Sequence, residues 1–100
     1  MADVSRILIV DDEPSLREFL EIFLKKQGFD VETAPGGAEA IERLEKGSEL
    51  DLVLTDLMMP EVDGMAVLEQ VQERWPHTQV LMMTAFATAD TAIEAMEKGA

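Results

Sequence analysis

Three aspartates, Asp11, Asp12 and Asp56, each stand directly after an apolar run: Arg6-Ile7-Leu8-Ile9-Val10 before the first two, Leu50-Asp51-Leu52-Val53-Leu54-Thr55 before the third. If those runs are neighbouring parallel strands, the acids converge. Carboxylates crowded at one sheet edge repel one another, so they raise their pKa values, stay solvated, or hold a hard cation such as Mg2+, which accepts oxygen ligands and retains water. Such a site would serve metal and phosphoryl chemistry. Any one of these carboxylates, taken singly, fits a helix cap equally well. Their shared position favours a common site.

The elements that must place them are legible in the alternation of apolar runs with segments of helical period, which predicts an α/β domain with a parallel sheet. Residues 6–11 read as the first strand. Pro14 suits the first turn of a helix, and Leu16, Phe19, Leu20, Phe23 and Leu24 recur at three and four to make one apolar stripe that Gly28 closes. Phe29-Asp30-Val31-Glu32-Thr33 alternates as an outer strand would, and Pro35-Gly36-Gly37 breaks the chain before a short helix through Ala40, Ile41 and Leu44, ended by Lys46-Gly47. Residues 51–55 form the third strand and deliver Asp56. A turn-rich loop, Met59-Pro60-Glu61-Val62-Asp63-Gly64, leads into a helix with Met65, Leu68 and Val71 inward, stopped by Trp75-Pro76. Residues 79–84 make a fourth strand, followed by a helix from Thr88 to Lys98 with Ala89, Ala92, Ile93 and Met96 on one side. Met82, Met83 and Met96 read as core filling.

Composition narrows the function. A chain of 100 residues, 47% hydrophobic, buries one core, so residues 1–100 are expected to be one domain. No apolar stretch is long enough to cross a bilayer and the first residues lack a secretory pattern, which predicts a cytoplasmic protein without membrane contact. The absence of cysteine removes disulfides, thiol catalysis and thiolate metal sites. With 21 acidic against 8 basic residues, a net charge of -13 argues against direct nucleic-acid binding. Most of that charge reads as solvated helix faces, such as Glu39, Glu42, Glu45, Glu69 and Glu73.

In an open parallel sheet, ligands bind beyond the carboxyl ends of the strands, where the winding direction reverses. Asp11, Asp12, Asp56 and Thr84 all fall at that edge. Pro60 and Gly64 shape the loop after Asp56. His77 follows Trp75-Pro76 at the opposite edge and is expected to be neither phosphodonor nor metal ligand.

Ile7-Leu8-Ile9-Val10-Asp11-Asp12-Glu13-Pro14, then Thr55-Asp56-Leu57-Met58-Met59-Pro60 with Asp63-Gly64, then Met83-Thr84-Ala85, together resemble the receiver domain of two-component response regulators. The tail from Thr84 to Ala100 further resembles receivers of the nitrogen-regulatory class, which precede an ATPase module and a DNA-binding module. The resemblance implies a CheY-like, flavodoxin-like doubly wound sheet of order 2-1-3-4. It implies that Asp56 takes a phosphoryl group from a histidine of a sensor kinase, with Mg2+ bound by Asp12, by Asp56 and by the carbonyl of Met58, and by Asp11 mainly through water. Thr84 would donate its hydroxyl to the phosphoryl group and move on phosphorylation, and Ala85 would leave room for it. The chain would be a phospho-acceptor that assists its own phosphorylation and dephosphorylation rather than an enzyme.

Receivers of this family normally continue through one more strand, whose terminal Lys pairs with the phosphoryl group, and one more helix. The sequence stops at Ala100 before them, and Lys98 would lie roughly 16 Å from the phosphorylation edge, at the far end of its helix. The fourth strand is then expected to be an open edge that pairs with a second copy through residues 79–84, unless the chain is a fragment of a longer protein. Two other functions stay open. One is an interaction module that keeps the fold without transferring phosphate; the other is a Mg2+-dependent phosphohydrolase of the haloacid-dehalogenase type, whose signature places a second Asp where Glu13 stands.

Overall fold

The computed structural model describes residues 5–83 and 97. Strands and helices alternate through them as β1 (Arg6–Val10), α1 (Pro14–Lys26), β2 (Asp30–Ala34), α2 (Gly37–Lys46), β3 (Leu52–Asp56), α3 (Gly64–Arg74) and β4 (Gln79–Met83). All pairings are parallel and the sheet runs in the order β2-β1-β3-β4. This is the flavodoxin-like doubly wound arrangement that the sequence predicts. Each strand begins or ends within one residue of its expected bounds; Asp56, expected just beyond β3, is its last residue. Thr84 and Ala85 lie outside the described residues, as does the helix expected from Thr88 to Lys98 apart from Glu97.

The central strands β1 and β3 are largely apolar because both faces of the sheet are covered there. Leu8, Val10 and Val53 point to the side of α2 and α3, where Ala40, Leu44, Val67, Leu68 and Val71 complete the larger core. Ile7, Ile9, Val31 and Leu54 point to the other side, against Leu20 and Leu24 of α1. Helix boundaries follow local chemistry. Pro14 starts α1, Gly28 after its end takes a φ of 96°, and Trp75 caps α3.

The apolar stripe expected along α1 divides. Leu20 and Leu24 pack on the sheet, whereas Leu16, Phe19 and Phe23 are exposed, Phe19 by 61%. A single helix laid on a sheet reaches it along one i, i+4 line, and its flanks are buried only by neighbours on the same face. Among the described residues α1 has none. Phe19 and Phe23 instead stack on each other with centroids 6.2 Å apart. The same open face leaves Leu81 of β4 53% exposed, and β4 is an edge strand among the described residues.

Leu68→Ala, in the fully buried core, should destabilise the protein by about 2–5 kcal/mol. Phe19→Ala should cost less than about 1 kcal/mol. Urea unfolding checks both, and equal losses would show that Phe19 is covered in solution.

Candidate metal and phosphoryl site

Strand register brings the acids together. Ile9 pairs with Leu54 and Val10 with Thr55, so the next residue of each strand, Asp11 and Asp56, stands at the same level. Side chains alternate along a strand, so Asp11 shares a face with Ile7 and Ile9, and Asp56 with Leu52 and Leu54. Asp12 follows on the connection to α1. One carboxylate oxygen from each of Asp11, Asp12 and Asp56 lies within 4.8 Å of the other two.

Asp11 is the buried member at 1% exposure, Asp56 is half-buried and Asp12 is exposed. Asp11 Oδ1 accepts the N–H of Glu13 at 2.9 Å. Its Oδ2 is buried without a hydrogen-bond partner among the described residues. A buried carboxylate oxygen left in that state is costly, and a cation is the partner that suits it beside two more acids. Helix capping does not absorb these residues, because the α1 cap is Glu13, whose carboxylate accepts the N–H groups of Ser15 and Leu16 at 3.1 and 2.8 Å. Asp56 Oδ1 accepts the N–H of Met58 at 3.2 Å, which turns the chain away from β3.

Burial raises the pKa of Asp56 above its ordinary value. The charges of Asp11 and Asp12 push it further up, while the N–H groups of Met58 and Leu57 oppose the shift.

The loop after Asp56 is held by Gly64 and Asp63. A side chain at Gly64 would collide with the carbonyl of Asp56, and the Gly64 N–H donates to Leu57 at 3.0 Å. Asp63 caps α3 through the N–H of Ala66. Glu61 is left-handed at a φ of 66°, within a tight turn closed by the Val62 N–H on the Pro60 carbonyl at 2.7 Å. Gly37, the first residue of α2, lets the Val62 carbonyl lie against that helix. Met58 is 58% exposed beside Asp56. His77 is exposed between α3 and β4, at the edge of the sheet opposite the acids.

One neighbour escaped the sequence reading. Arg17 Nη1 donates to the carbonyl of Asp11 at 2.7 Å. A cation in the first turns of a helix, where the dipole disfavours it, was the signal available.

A model of the response regulator receiver domain matches residues 7–100. The chain belongs to the response regulator receiver domain family. The receiver is 43% identical over 95 residues to response regulator protein PilR of Pseudomonas aeruginosa, covering 95% of this chain and 21% of that one. Against regulatory protein AtoC of Escherichia coli it is 40% identical over 100 residues, which is 100% of this chain and 22% of the relative. The receiver thus spans about a fifth of these curated relatives. Among solved structures, a CheY-like receiver domain protein of Methanospirillum hungatei superposes with a TM-score of 0.92 at 28% identity, over 98% of this chain and 78% of that one. A receiver domain protein of Clostridium thermocellum gives 0.88 at 33% identity, over 97% and 78%. No helix among the described residues of the receiver is long and apolar enough to cross a membrane.

The raised pKa of Asp56 has a pH consequence. Because the folded state holds this proton more tightly than the unfolded chain, ionised Asp56 works against folding, and its penalty is complete above the folded pKa. The penalty disappears as pH falls through that pKa to below the ordinary value of 3.8. Asp56→Asn should therefore melt higher than wild type at pH 7 in EDTA, with the difference closing as pH falls through this window. Melting temperatures across pH check it; a variant less stable than wild type at pH 7 would contradict it.

Proposed function

We propose that this receiver accepts a phosphoryl group on Asp56 from a phosphohistidine of a sensor kinase, with Mg2+ held by the acid cluster. The observation that carries the proposal is the buried Oδ2 of Asp11, without a partner among the described residues, in a set of three carboxylates brought within 4.8 Å. Asp11, Asp12 and Asp56 would hold the ion, with the Met58 carbonyl as a further ligand and Asp11 acting in part through water. When bound, the ion cancels charge between an anionic acceptor and an anionic phosphoryl group and fixes the line of approach.

The chain's own residues do the remainder. An oxygen of the Asp56 carboxylate attacks phosphorus, an O–P bond forms as the N–P bond of the donor breaks, and the departing imidazole nitrogen takes up a proton. The product is an acyl phosphate. The N–H groups of Met58 and Leu57 favour the ionised carboxylate that attacks, against the burial and the like charges that disfavour it. Gly64 keeps the backbone of Asp56 in place by leaving its carbonyl unobstructed. Thr84 and Ala85, within the span that the family model matches, are assigned the hydroxyl contact and the space beside the phosphoryl group. Output would follow from a shift of population between two states of the fourth-strand edge, read by an effector module in a longer regulator of the PilR and AtoC kind.

Incubation with acetyl phosphate and Mg2+ should add one phosphoryl group to the intact mass, and EDTA or Asp56→Asn should abolish the addition. Labelling that persists in Asp56→Asn would refute the assignment.

A further inference from the structure

The polar atoms of Asp11 are tied to three different parts of the fold. Its N–H donates to the carbonyl of Ala34 at the end of β2, at 3.2 Å. Its Oδ1 accepts the N–H of Glu13 at 2.9 Å, and its carbonyl accepts Nη1 of Arg17 at 2.7 Å. Of its two carboxylate oxygens, Oδ2 is without a partner among the described residues.

Arg17 is an unusual occupant of its position. It is half-buried near the start of α1, and its own N–H is fixed on the carbonyl of Glu13 at 3.1 Å. The helix dipole opposes a cation there, and no Asp or Glu among the described residues forms an ion pair with it. The guanidinium's one hydrogen-bonded partner among the described residues is the Asp11 carbonyl. A charged donor makes a short, strong bond to that oxygen, and a planar guanidinium fixes the direction as well as the distance.

We infer that Arg17 is a positioning residue for the cation site, holding the peptide between Asp11 and Asp12 so that both carboxylates stay aligned with Asp56. The inference rests on the reading of the acid cluster as a Mg2+ site. The guanidinium bonds to the main chain and leaves the Asp11 carboxylate to the ion. It touches no reacting atom.

Mg2+ titration calorimetry on wild type, Arg17→Ala and Arg17→Lys tests this, with melting in EDTA and amide hydrogen exchange at Asp12 and Glu13 as companions. Arg17→Ala should bind Mg2+ about tenfold more weakly, as loss of a group that orients a metal ligand does. Its metal-free melting temperature should stay close to wild type while the two amides exchange faster, a pattern that general destabilisation would not give. Arg17→Lys, which keeps the charge and loses the planar fork, should fall between. Unchanged affinity in Arg17→Ala overturns the inference and leaves the Mg2+ site standing; a wild type that binds no Mg2+ overturns both. If Arg17→Ala fails to fold, Arg17→Lys decides: reduced affinity supports the role and wild-type affinity overturns it.

Discussion

Mutual repulsion among three carboxylates, forced together by the register of two parallel strands, is the constraint around which this receiver is built. Pairing Val10 with Thr55 sets Asp11 and Asp56 at one level, and the packing of Leu8, Val10 and Val53 on one face and of Ile7, Ile9 and Leu54 on the other holds that register. The hydrophobic core therefore enforces an electrostatic conflict. Leu8, Ile9, Val10 and Val53, all fully buried, hold the strands in that alignment. Burial first, and then this conflict, raise the pKa of Asp56, and Oδ2 of Asp11 is left orphaned among the described residues. A divalent cation bound there would give that oxygen a partner and offset the like charges.

The surroundings of the cluster divide the work between fixing atoms and leaving them free. Glu13 takes over the capping of α1, which spares Asp11 and Asp12 from that duty. Gly64 and Asp63 hold the following loop against the end of β3, and the left-handed Glu61 and the close passage of Val62 over Gly37 tie the loop to α2. Backbone conformations of this kind concentrate where a protein must hold a site rigid. Here Glu61 and Val62 lie within a few residues of Asp56.

Much of this was legible in the order of residues. The strands announced themselves as short apolar runs ending in Asp, the helices as periodic stripes bounded by Pro and Gly, and the sheet order followed from the receiver resemblance. The convergence of Asp11, Asp12 and Asp56 needed only the rule that parallel strands end together. What escaped was set by tertiary neighbours. Leu16, Phe19 and Phe23 look like core residues by period, yet a helix without a flanking partner among the described residues buries only its central line. Glu13 as cap and Arg17 as carbonyl donor depend on side-chain directions that spacing does not specify.

The central claim is that the three acids act as one binding unit for one ion. Carboxyl-carbon NMR resonances of Asp11, Asp12 and Asp56, followed through a Mg2+ titration, test it most directly. All three should move along a single saturating curve with one midpoint. Three unrelated curves, or resonances that stay still at saturating Mg2+, would contradict it.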